Sequence, residues 1–330
     1  METLNLATLP KYLSDEAEAW ALLERLRWNG VPVCPHCGTA DENHYFLNAK
    51  SGLRTTRTGN ATFRRLWKCR NKVCRKQFSV LVGTVFESSK LPVSKWLLAL
   101  YLMSAGKNSV SALELQRHLG IAYQTAWFVG HRLREAMRRE PLAGLMSGTV
   151  VSDEAWIGGS PKNRHRQGQT PGRVGGRGRA GTPKGKTPVV ALIEKETGEA
   201  RTRVVTDVTG PTLRKAIAEN VDMPNTVLHT DGHMAYRQIG REMAGHEFVD
   251  HSEWVYVSPT GVSTNLVESF WAQFKRSLDG TVHNVSSEHL HRYADEFTFR
   301  WNTRKGTDQQ RVNALLDGAV GKRLTYRPAT

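Results

Sequence analysis

The stretch "NLVESFWAQFKRSL", residues 265–278, decides how the C-terminal half of this 330-residue chain must fold. A helix turns about 100° per residue, so its apolar side chains here share one broad arc that should face a core. Those residues are Val267, Phe270, Trp271, Phe274 and Leu278. Glu268 and Lys275 lie at the edge of this arc. A carboxylate beside an aromatic core is costly unless it has a partner, so the stretch predicts a packed helix whose Glu268 serves a purpose.

The composition indicates a large, basic, folded chain. Lys and Arg number 46 against 31 Asp and Glu, which gives a formal charge of +15. This length predicts two or three domains, and the charge indicates a polyanionic partner, nucleic acid first, rather than a merely solvated basic surface. The start of the chain lacks the pattern of a secretory signal, and its most apolar run, "WLLALYLM" at 96–103, is too short to span a bilayer. We therefore expect a cytoplasmic, nucleoid-associated protein with reduced thiols and no membrane partner.

The cysteines predict a structural zinc site. They occur as two close pairs, in "VPVCPHCGTA" and in "LWKCRNKVCRKQFSV". Their numbers are Cys34, Cys37, Cys69 and Cys74. Such spacing matches a four-thiolate zinc ribbon better than two cytosolic disulfides or a redox pair, which would need a thioredoxin-like pattern. His36 and His44 lie close enough in sequence to replace one thiolate, so both are alternative ligands.

A helical segment follows the cysteines. The run "SALELQRHLGIAYQTAWFVGHRLREAMRR", residues 111–139, reads as a helix, a short turn at Gly120 and a second helix. This pattern predicts a helix-turn-helix whose second helix enters a major groove of double-stranded DNA. The residues expected to contact DNA are Tyr123, Gln124, Thr125 and Arg132. An ordinary packed helical hairpin is the alternative, because such hairpins are common.

From about Thr149 the pattern changes to strands interrupted by a basic loop. The loop, residues 160–188, is rich in Gly, Pro, Arg and Lys and contains no acidic residue. We expect it to clamp target DNA through Arg173, Arg177 and Arg179, with a tolerated insertion as the alternative. After it, the pattern predicts a β-hairpin around residues 196–198, a helix, a strand and the helix quoted above.

Three acids occupy informative places in that order. Asp153 is predicted to end the first strand, Asp231 ends a later strand, and Glu268 lies on the subsequent helix. This is the element order of an RNase H-like domain, in which three such carboxylates meet at one edge of a mixed sheet. Three carboxylates suit Mg²⁺, and two ions, with Mn²⁺ as substitute, would support phosphodiester chemistry. Each acid alone also fits a turn, a solvated strand end or a polar border.

Several motifs together resemble a known family. They are "CPHCG", "CRKQFSV", "GTVFESSKLPVSKW", "TAWFVGHRLREAM", "SDEAWIGG", "TDGHMAY", "NLVESFWAQFKR" and "HRYADEFTFRWNTR". In this order they are similar to insertion-sequence transposases of the DDE superfamily, in the ISXO-type group with an N-terminal zinc ribbon. The resemblance implies Asp153, Asp231 and Glu268 as a metal-binding triad, with Lys275 as an additional basic residue. Because some members use Asn or His in the third position, Asn265 is the local rival. The second cysteine knuckle is two residues longer than the usual one.

These observations predict an α+β multidomain protein with a small zinc ribbon, a helix-turn-helix-like segment and an RNase H-like mixed α/β catalytic domain. The expected divisions are 1–28 (helical lead-in), 29–85 (zinc ribbon), 90–142 (helix-turn-helix-like segment), 148–305 (catalytic domain) and 306–330 (C-terminal tail). The expected function is DNA transposition by cleavage of element ends and transfer to target DNA, performed by a homodimer or larger assembly. The alternatives are a non-cleaving DNA-binding derivative and an RNase H-like nuclease without strand transfer.

Overall fold

The computed structural model describes residues 4–47, 53–55, 61–138, 144–158, 185–249 and 262–325. The chain divides into two compact units. Residues 1–138 and 305–330 form the first unit, and residues 139–304 form the second. One unit is therefore built from two separate parts of the chain.

The first unit opens with two helices, α1 (Leu9–Ser14) and α2 (Glu16–Trp28). Asp15 ends one helix and begins the next, because its side chain accepts hydrogen bonds from the backbone N–H groups of Ala17 and Glu18. Such capping satisfies donors that have no partner inside the helix.

Five short strands follow. They are β1 (Tyr45–Phe46), β2 (Leu53–Thr55), β3 (Ala61–Phe63), β4 (Trp67–Lys68) and β5 (Gln77–Phe78). Strands β1, β4 and β5 form one antiparallel sheet, while β2 and β3 pair separately. Glu24 of α2 accepts hydrogen bonds from Arg65 Nε and Trp67 Nε1, both at 2.9 Å. Trp28 packs edge-on against Phe78, with ring centroids 5.9 Å apart. Helix α2 therefore fastens the ribbon through both polar and aromatic contacts.

Three helices complete the N-terminal part of this unit. They are α3 (Val93–Ala105), α4 (Ala112–Leu119) and α5 (Tyr123–Met137). A capping box begins α4, with Ser111 and Glu114 bonding each other's backbone N–H groups. Gly120 ends α4 with a φ of +58°, a left-handed conformation that glycine adopts at little cost. The predicted helix, turn and second helix are all present.

Helix α10 (Asp308–Ala319) packs against α3 and α5. The sequence division placed residues 306–330 in a C-terminal tail, but Val312, Leu315 and Leu316 are buried here. Their spacing of three and four residues gives the helix an apolar face, which accounts for the difference. A Cβ at Gly318 would collide with the carbonyl oxygen of Ala136, so the helices approach closely at that point.

The second unit is organised around a five-stranded mixed sheet. Its strands are β6 (Met146–Ile157), β7 (Thr187–Glu194), β8 (Ala200–Val204), β9 (Val221–Asp231) and β10 (Gly245–Val249). They lie in the order β10-β9-β6-β7-β8. Pairs β6–β7 and β7–β8 are antiparallel, whereas β6–β9 and β9–β10 are parallel. This topology confirms the predicted mixed α/β sheet and its early hairpin.

Helices cover both faces of this sheet. They are α6 (Gly210–Ala218), α7 (Ala235–Gly240), α8 (Asn265–Ser277), which runs into a π-helical turn at Leu278–Val282, and α9 (Leu290–Asn302). On one face, Val151 and Ala155 of β6 pack with Phe270 and Phe274 of α8 and with Phe297 of α9. On the other face, Val150, Val190 and Leu228 pack with side chains of α6 and α7. The predicted apolar arc of α8 is thereby confirmed.

Across the described ranges, the helices are all too short or too polar for one of them to cross a lipid bilayer.

Candidate zinc centre and candidate active site

The four cysteines converge into one cluster. Cys34 Sγ lies 3.8 Å from Cys74 Sγ, and Cys37 Sγ lies 3.6 Å from Cys69 Sγ. All four sulfur atoms lie within 4.8 Å of one another. Tetrahedral coordination with Zn–S bonds of about 2.3 Å would place sulfur atoms about 3.8 Å apart. The cluster therefore has the ligand type and the spacing of a structural zinc centre.

The two nearby histidines have other partners. His36 Nε2 lies 3.2 Å from the carbonyl oxygen of Gln77. His44 Nε2 lies 3.1 Å from the carbonyl oxygen of Thr39, and its Nδ1 accepts the backbone N–H of Arg70 at 3.2 Å. These contacts favour the cysteines over either histidine as ligands.

The longer second knuckle closes through its own backbone. The carbonyl oxygen of Asn71 accepts the N–H groups of both Cys74 and Arg75, at 3.1 and 3.0 Å. Arg75 has a φ of +49°, in the left-handed region. The two extra residues are thus absorbed in a turn that still delivers Cys74 to the cluster.

The second unit places the three predicted acids on three elements. Asp231 is the last residue of β9, and Glu268 is an exposed side chain in the first turn of α8. Asp153 was expected at the end of its strand, but it lies in the interior of β6. The strand continues because its residues keep pairing with β7, from Asp153 opposite Ala191 to Ile157 opposite Thr187. Asp153 is consequently partly buried rather than solvated.

The acids influence one another electrostatically. The pKa of Asp153 is raised to about 6, mainly by burial; the charges of Asp231 and Glu268 also raise this pKa, while a backbone hydrogen bond from Glu154 and the charge of Lys275 lower it. Like charges close together disfavour ionisation, so the charges of Asp231 and Glu268 make Asp153 harder to ionise. Within the described residues, only the cysteines bring three or more possible ligand atoms within 4.8 Å of one another. The acids are therefore gathered in one region but more widely spaced than the thiols.

Local hydrogen bonds orient two of the acids. Asp231 Oδ1 accepts the backbone N–H of His233 at 3.0 Å. The Thr264 hydroxyl donates to Glu268 Oε1 at 2.8 Å. The position of Glu268 in the first helical turn also places its negative charge at the favourable end of the helix dipole. Asn265, the rival third residue, is exposed, and its backbone N–H donates to Ser263 Oγ at 3.1 Å.

Glu154 is a fourth acid in this region, and the sequence pattern indicated it only as a possible solvated strand end. The pKa of Glu154 is raised to about 8, mainly by burial; the nearby Tyr236 hydroxyl lowers this pKa, and the charges of Asp153 and Asp231 raise it. Side chains alternate along a strand, so Glu154 faces the opposite side of the sheet from Asp153. The apolar neighbours Ala155 and Trp156 were the available sequence signal that this strand continues past the acids.

The residues predicted to read DNA lie at the exposed beginning of α5. Tyr123, Gln124 and Thr125 all occupy its first turn with accessible side chains, and Tyr123 is 52% exposed. This position agrees with the geometry of a recognition helix, whose N-terminal residues contact base edges. Their role in DNA binding stays a prediction.

Arg132, predicted to join them, is placed differently. It is only 6% exposed, and its guanidinium donates to the carbonyl oxygens of Glu87 at 3.0 Å and Leu324 at 3.3 Å. The same group lies 4.9 Å from the ring centroid of Phe128. Two of its donor groups are therefore used inside the first unit, so Arg132 has a structural role there, and its predicted contact with DNA stays a prediction. Arg173, Arg177 and Arg179 lie outside the described residues.

Two domain models match the chain. An ISXO2-like transposase domain matches residues 145–302, and a transposase zinc-ribbon domain matches residues 14–77. The first range includes Asp153, Asp231 and Glu268, and the second includes all four cysteines.

Individual relatives are more distant. An uncharacterized protein in the transposable element ISH50 of Halobacterium salinarum is 26% identical over 94% of this chain and 99% of its own length. A chain of the simian T-cell lymphotropic virus intasome with PP2A regulatory subunit B56 gamma is 13% identical, over 56% of this chain and 63% of that chain, with a TM-score of 0.27. A chain of a pre-cleavage Mos1 transpososome is 12% identical, over 61% and 75%, with a TM-score of 0.23. Both TM-scores are too low to establish a common fold. The chain therefore matches the ISXO2-like transposases with an N-terminal zinc ribbon, through a transposase domain at residues 145–302 and a zinc-ribbon domain at residues 14–77.

Proposed function

We propose that this transposase binds the ends of an insertion sequence, cleaves them by metal-dependent phosphodiester hydrolysis and joins them to target DNA by transesterification. The observation that carries the proposal is the shared electrostatic field of Asp153, Asp231 and Glu268. Three carboxylates that repel one another are unfavourable unless a cation compensates their charge.

The donor set fits magnesium. Asp153, Asp231 and Glu268 offer only carboxylate oxygens, the hard ligands that Mg²⁺ prefers, and Mn²⁺ accepts the same set. When bound, two such ions would supply Lewis-acid stabilisation and an activated water or 3′-hydroxyl. The Asp153 carboxyl, whose pKa is about 6, takes up a proton more readily than an ordinary aspartate, so cation binding and protonation compete there.

Other residues of the chain would hold the DNA. Lys275 lies close enough to lower the pKa of Asp153, and its exposed ammonium group is suited to a phosphate beside the acids. Tyr123, Gln124 and Thr125 would read base edges at the element ends. Arg173, Arg177 and Arg179 would neutralise phosphates of the target. Because two ends must be handled together, a homodimer or higher assembly on DNA is the expected active form.

The test is excision and insertion of a marker flanked by the native borders of the gene. Asp153→Asn, Asp231→Asn and Glu268→Gln should each abolish movement of the marker while the purified variants still bind border duplexes. Asp279→Asn is the matched control, since Asp279 is an exposed carboxylate in the same unit. Wild type that binds the borders but neither cuts nor joins them in Mg²⁺ or Mn²⁺ would instead identify a non-cleaving DNA-binding protein. Cutting without joining would identify a nuclease.

A further inference from the structure

The backbone ladder between the two central strands ends before it reaches the acids. Residues of β6 and β9 pair from Gly148 opposite Thr226 to Val151 opposite His229, which is the last pair of this ladder in the described strands. Asp153 and Asp231 each come two residues later. Beyond that point Asp231 pairs with β10, and Asp153 pairs with β7. The described β6–β9 ladder therefore stops short of these two carboxylates and does not by itself fix their separation.

A buried tyrosine lies where the ladder has ended. The Tyr236 side chain is 0% exposed, and its hydroxyl oxygen lies 3.0 Å from Ser152 Oγ. Glu154 lies near enough to this hydroxyl for each group to shift the pKa of the other. Ser152 and Glu154 flank Asp153 in β6, and both face away from it because side chains alternate along a strand. Through Ser152, Tyr236 thus holds β6 directly beside Asp153, from the opposite face of the sheet.

The same tyrosine is connected to Asp231. Tyr236 belongs to α7, which follows β9 after a short turn. Its backbone N–H donates to the carbonyl oxygen of His233 at 3.2 Å, and the N–H of His233 donates to Asp231 Oδ1 at 3.0 Å. Three hydrogen bonds, joined by the covalent structures of Tyr236 and His233, therefore connect Ser152, the neighbour of Asp153, to the carboxylate of Asp231.

The Tyr236 hydroxyl belongs to a side chain with apolar neighbours, so its presence needs a reason other than packing. Tyr236 packs within an apolar cluster that includes Val150, Leu213 and Ile239. A phenylalanine would fill this space with no polar group to satisfy, so packing alone does not require the hydroxyl. Burying polar groups in such a core costs desolvation free energy, and a hydrogen-bonded network can offset that cost while it fixes one geometry.

We propose that Tyr236, through Ser152, is a positioning residue that sets the separation of Asp153 and Asp231 for divalent-metal binding. This inference rests on the proposed function, because it assigns the metal to those acids. Residues that hold metal ligands in position are expected to affect metal affinity nearly as much as the ligands themselves.

The test measures Mn²⁺ binding to the zinc-loaded full chain by electron paramagnetic resonance, without DNA. Tyr236→Phe should weaken the binding that depends on Asp153 by about 10-fold, at the lower end of losses for such supporting residues. In cleavage assays, the Mn²⁺ concentration for half-maximal rate should rise by a similar factor while the rate at saturating Mn²⁺ is largely restored. Tyr101→Phe is the matched control, because Tyr101 is also buried but lies on α3 of the other unit.

Two further variants separate positioning from ligation and from misfolding. Glu154→Gln removes a charge but leaves the hydrogen bond between Ser152 and Tyr236 in place, so it should bind Mn²⁺ nearly as wild type does. Loss of Mn²⁺ binding in Glu154→Gln would overturn the inference by making Glu154 a direct ligand. If Tyr236→Phe fails to fold, Ser152→Ala carries the same test with a smaller expected loss. Unchanged Mn²⁺ affinity in the folded variant overturns the inference alone, whereas wild type that binds no Mn²⁺ overturns the proposed function as well.

Discussion

The zinc centre and the acid cluster are built in contrasting ways. The zinc centre draws its four thiols from two short knuckles, each closed by local turns, and holds them within 4.8 Å of one another. The acid cluster draws its carboxylates from β6, β9 and α8, which are separated by long stretches of chain. The charges of Asp231 and Glu268 raise the pKa of Asp153, but the ligand atoms of the three acids are more widely spaced than the four sulfur atoms.

The difference follows from the charge and origin of the ligands. Burial raises the pKa of Cys34 and of Cys69, so these two thiols stay neutral and can lie beside the other sulfur atoms without a metal. A knuckle of a few residues already fixes each pair. Carboxylates repel, and their separation depends on the registration of the whole sheet and on the docking of α8. A structural site can therefore be prepared locally, whereas the acid site depends on the fold and on its cation.

The largest expected effect comes from removing the zinc. Cys69→Ser, or a strong chelator, should unfold the ribbon, because zinc supplies about 10–16 kcal/mol of folding free energy in small zinc domains. Hydrogen exchange should show loss of protection in β1, β4 and β5 while the sheet of β6–β10 stays protected. His36→Ala is the control and should retain one zinc per chain. Equal loss of protection in both units would contradict the independence of the two sites.

The next effect tests the third member of the acid cluster. Glu268→Gln should reduce cleavage by at least about 100-fold, because losing a ligand should cost as much as the severest loss of a supporting residue. Asn265→Ala should stay within about 3-fold of wild type, a difference below 1 kcal/mol. Single-turnover cleavage of border duplexes at fixed Mg²⁺ measures both. The reverse order of effects would assign the third position to Asn265.

A smaller effect distinguishes exposed Gln124 from buried Arg132, both of which were predicted to bind DNA. Gln124→Ala should weaken binding to the element ends by about 1–3 kcal/mol without changing the thermal midpoint, since its side chain is exposed. Arg132→Ala should instead lower the stability of the first unit by about 1–3 kcal/mol, because two partly buried carbonyl groups lose their donor. Fluorescence anisotropy and calorimetry measure the two quantities. A normal thermal midpoint for Arg132→Ala would show that the first unit does not need this side chain for stability, and would favour the prediction that Arg132 contacts DNA.

The smallest effect concerns the support of Glu268. Thr264→Val removes the hydroxyl that donates to Glu268 Oε1 and should cost about 0.5–1.5 kcal/mol of Mn²⁺ binding. Titration calorimetry with Mn²⁺ detects this loss, and Thr264→Ser should restore most of it. A wild-type affinity in Thr264→Val would mean that the helix alone orients Glu268.

The sequence was most informative where chemistry is local or periodic. The cysteine spacing predicted the thiol cluster, and the apolar arc of α8 predicted its buried face, because each depends on residues a few positions apart. The order of strands and helices was sufficient to predict the mixed sheet. The catalytic roles of the three acids, and the DNA contacts of Tyr123, Gln124 and Thr125, stay predictions.

Features that depend on distant contacts were not predictable. Arg132 looked like a surface cation, yet its partners Glu87 and Leu324 lie far from it in sequence. Asp153 looked like a strand end because the pairing of β6 with β7 beyond it was not visible in the pattern. The tail assignment failed in the same way, since the apolar face of α10 is covered by helices from the other end of the chain.

The position of α10 has a consequence for biosynthesis. Its partners α3 and α5 leave the ribosome long before it does, whereas the sheet-containing unit, residues 139–304, is contiguous and can fold as soon as it emerges. At about 5–20 residues per second, the helical unit therefore waits on the order of ten seconds for its last helix. During that interval α3 and α5 expose the apolar surface that α10 will cover, so synthesis interrupted near residue 305 should yield an intact sheet beside an aggregation-prone helical remnant.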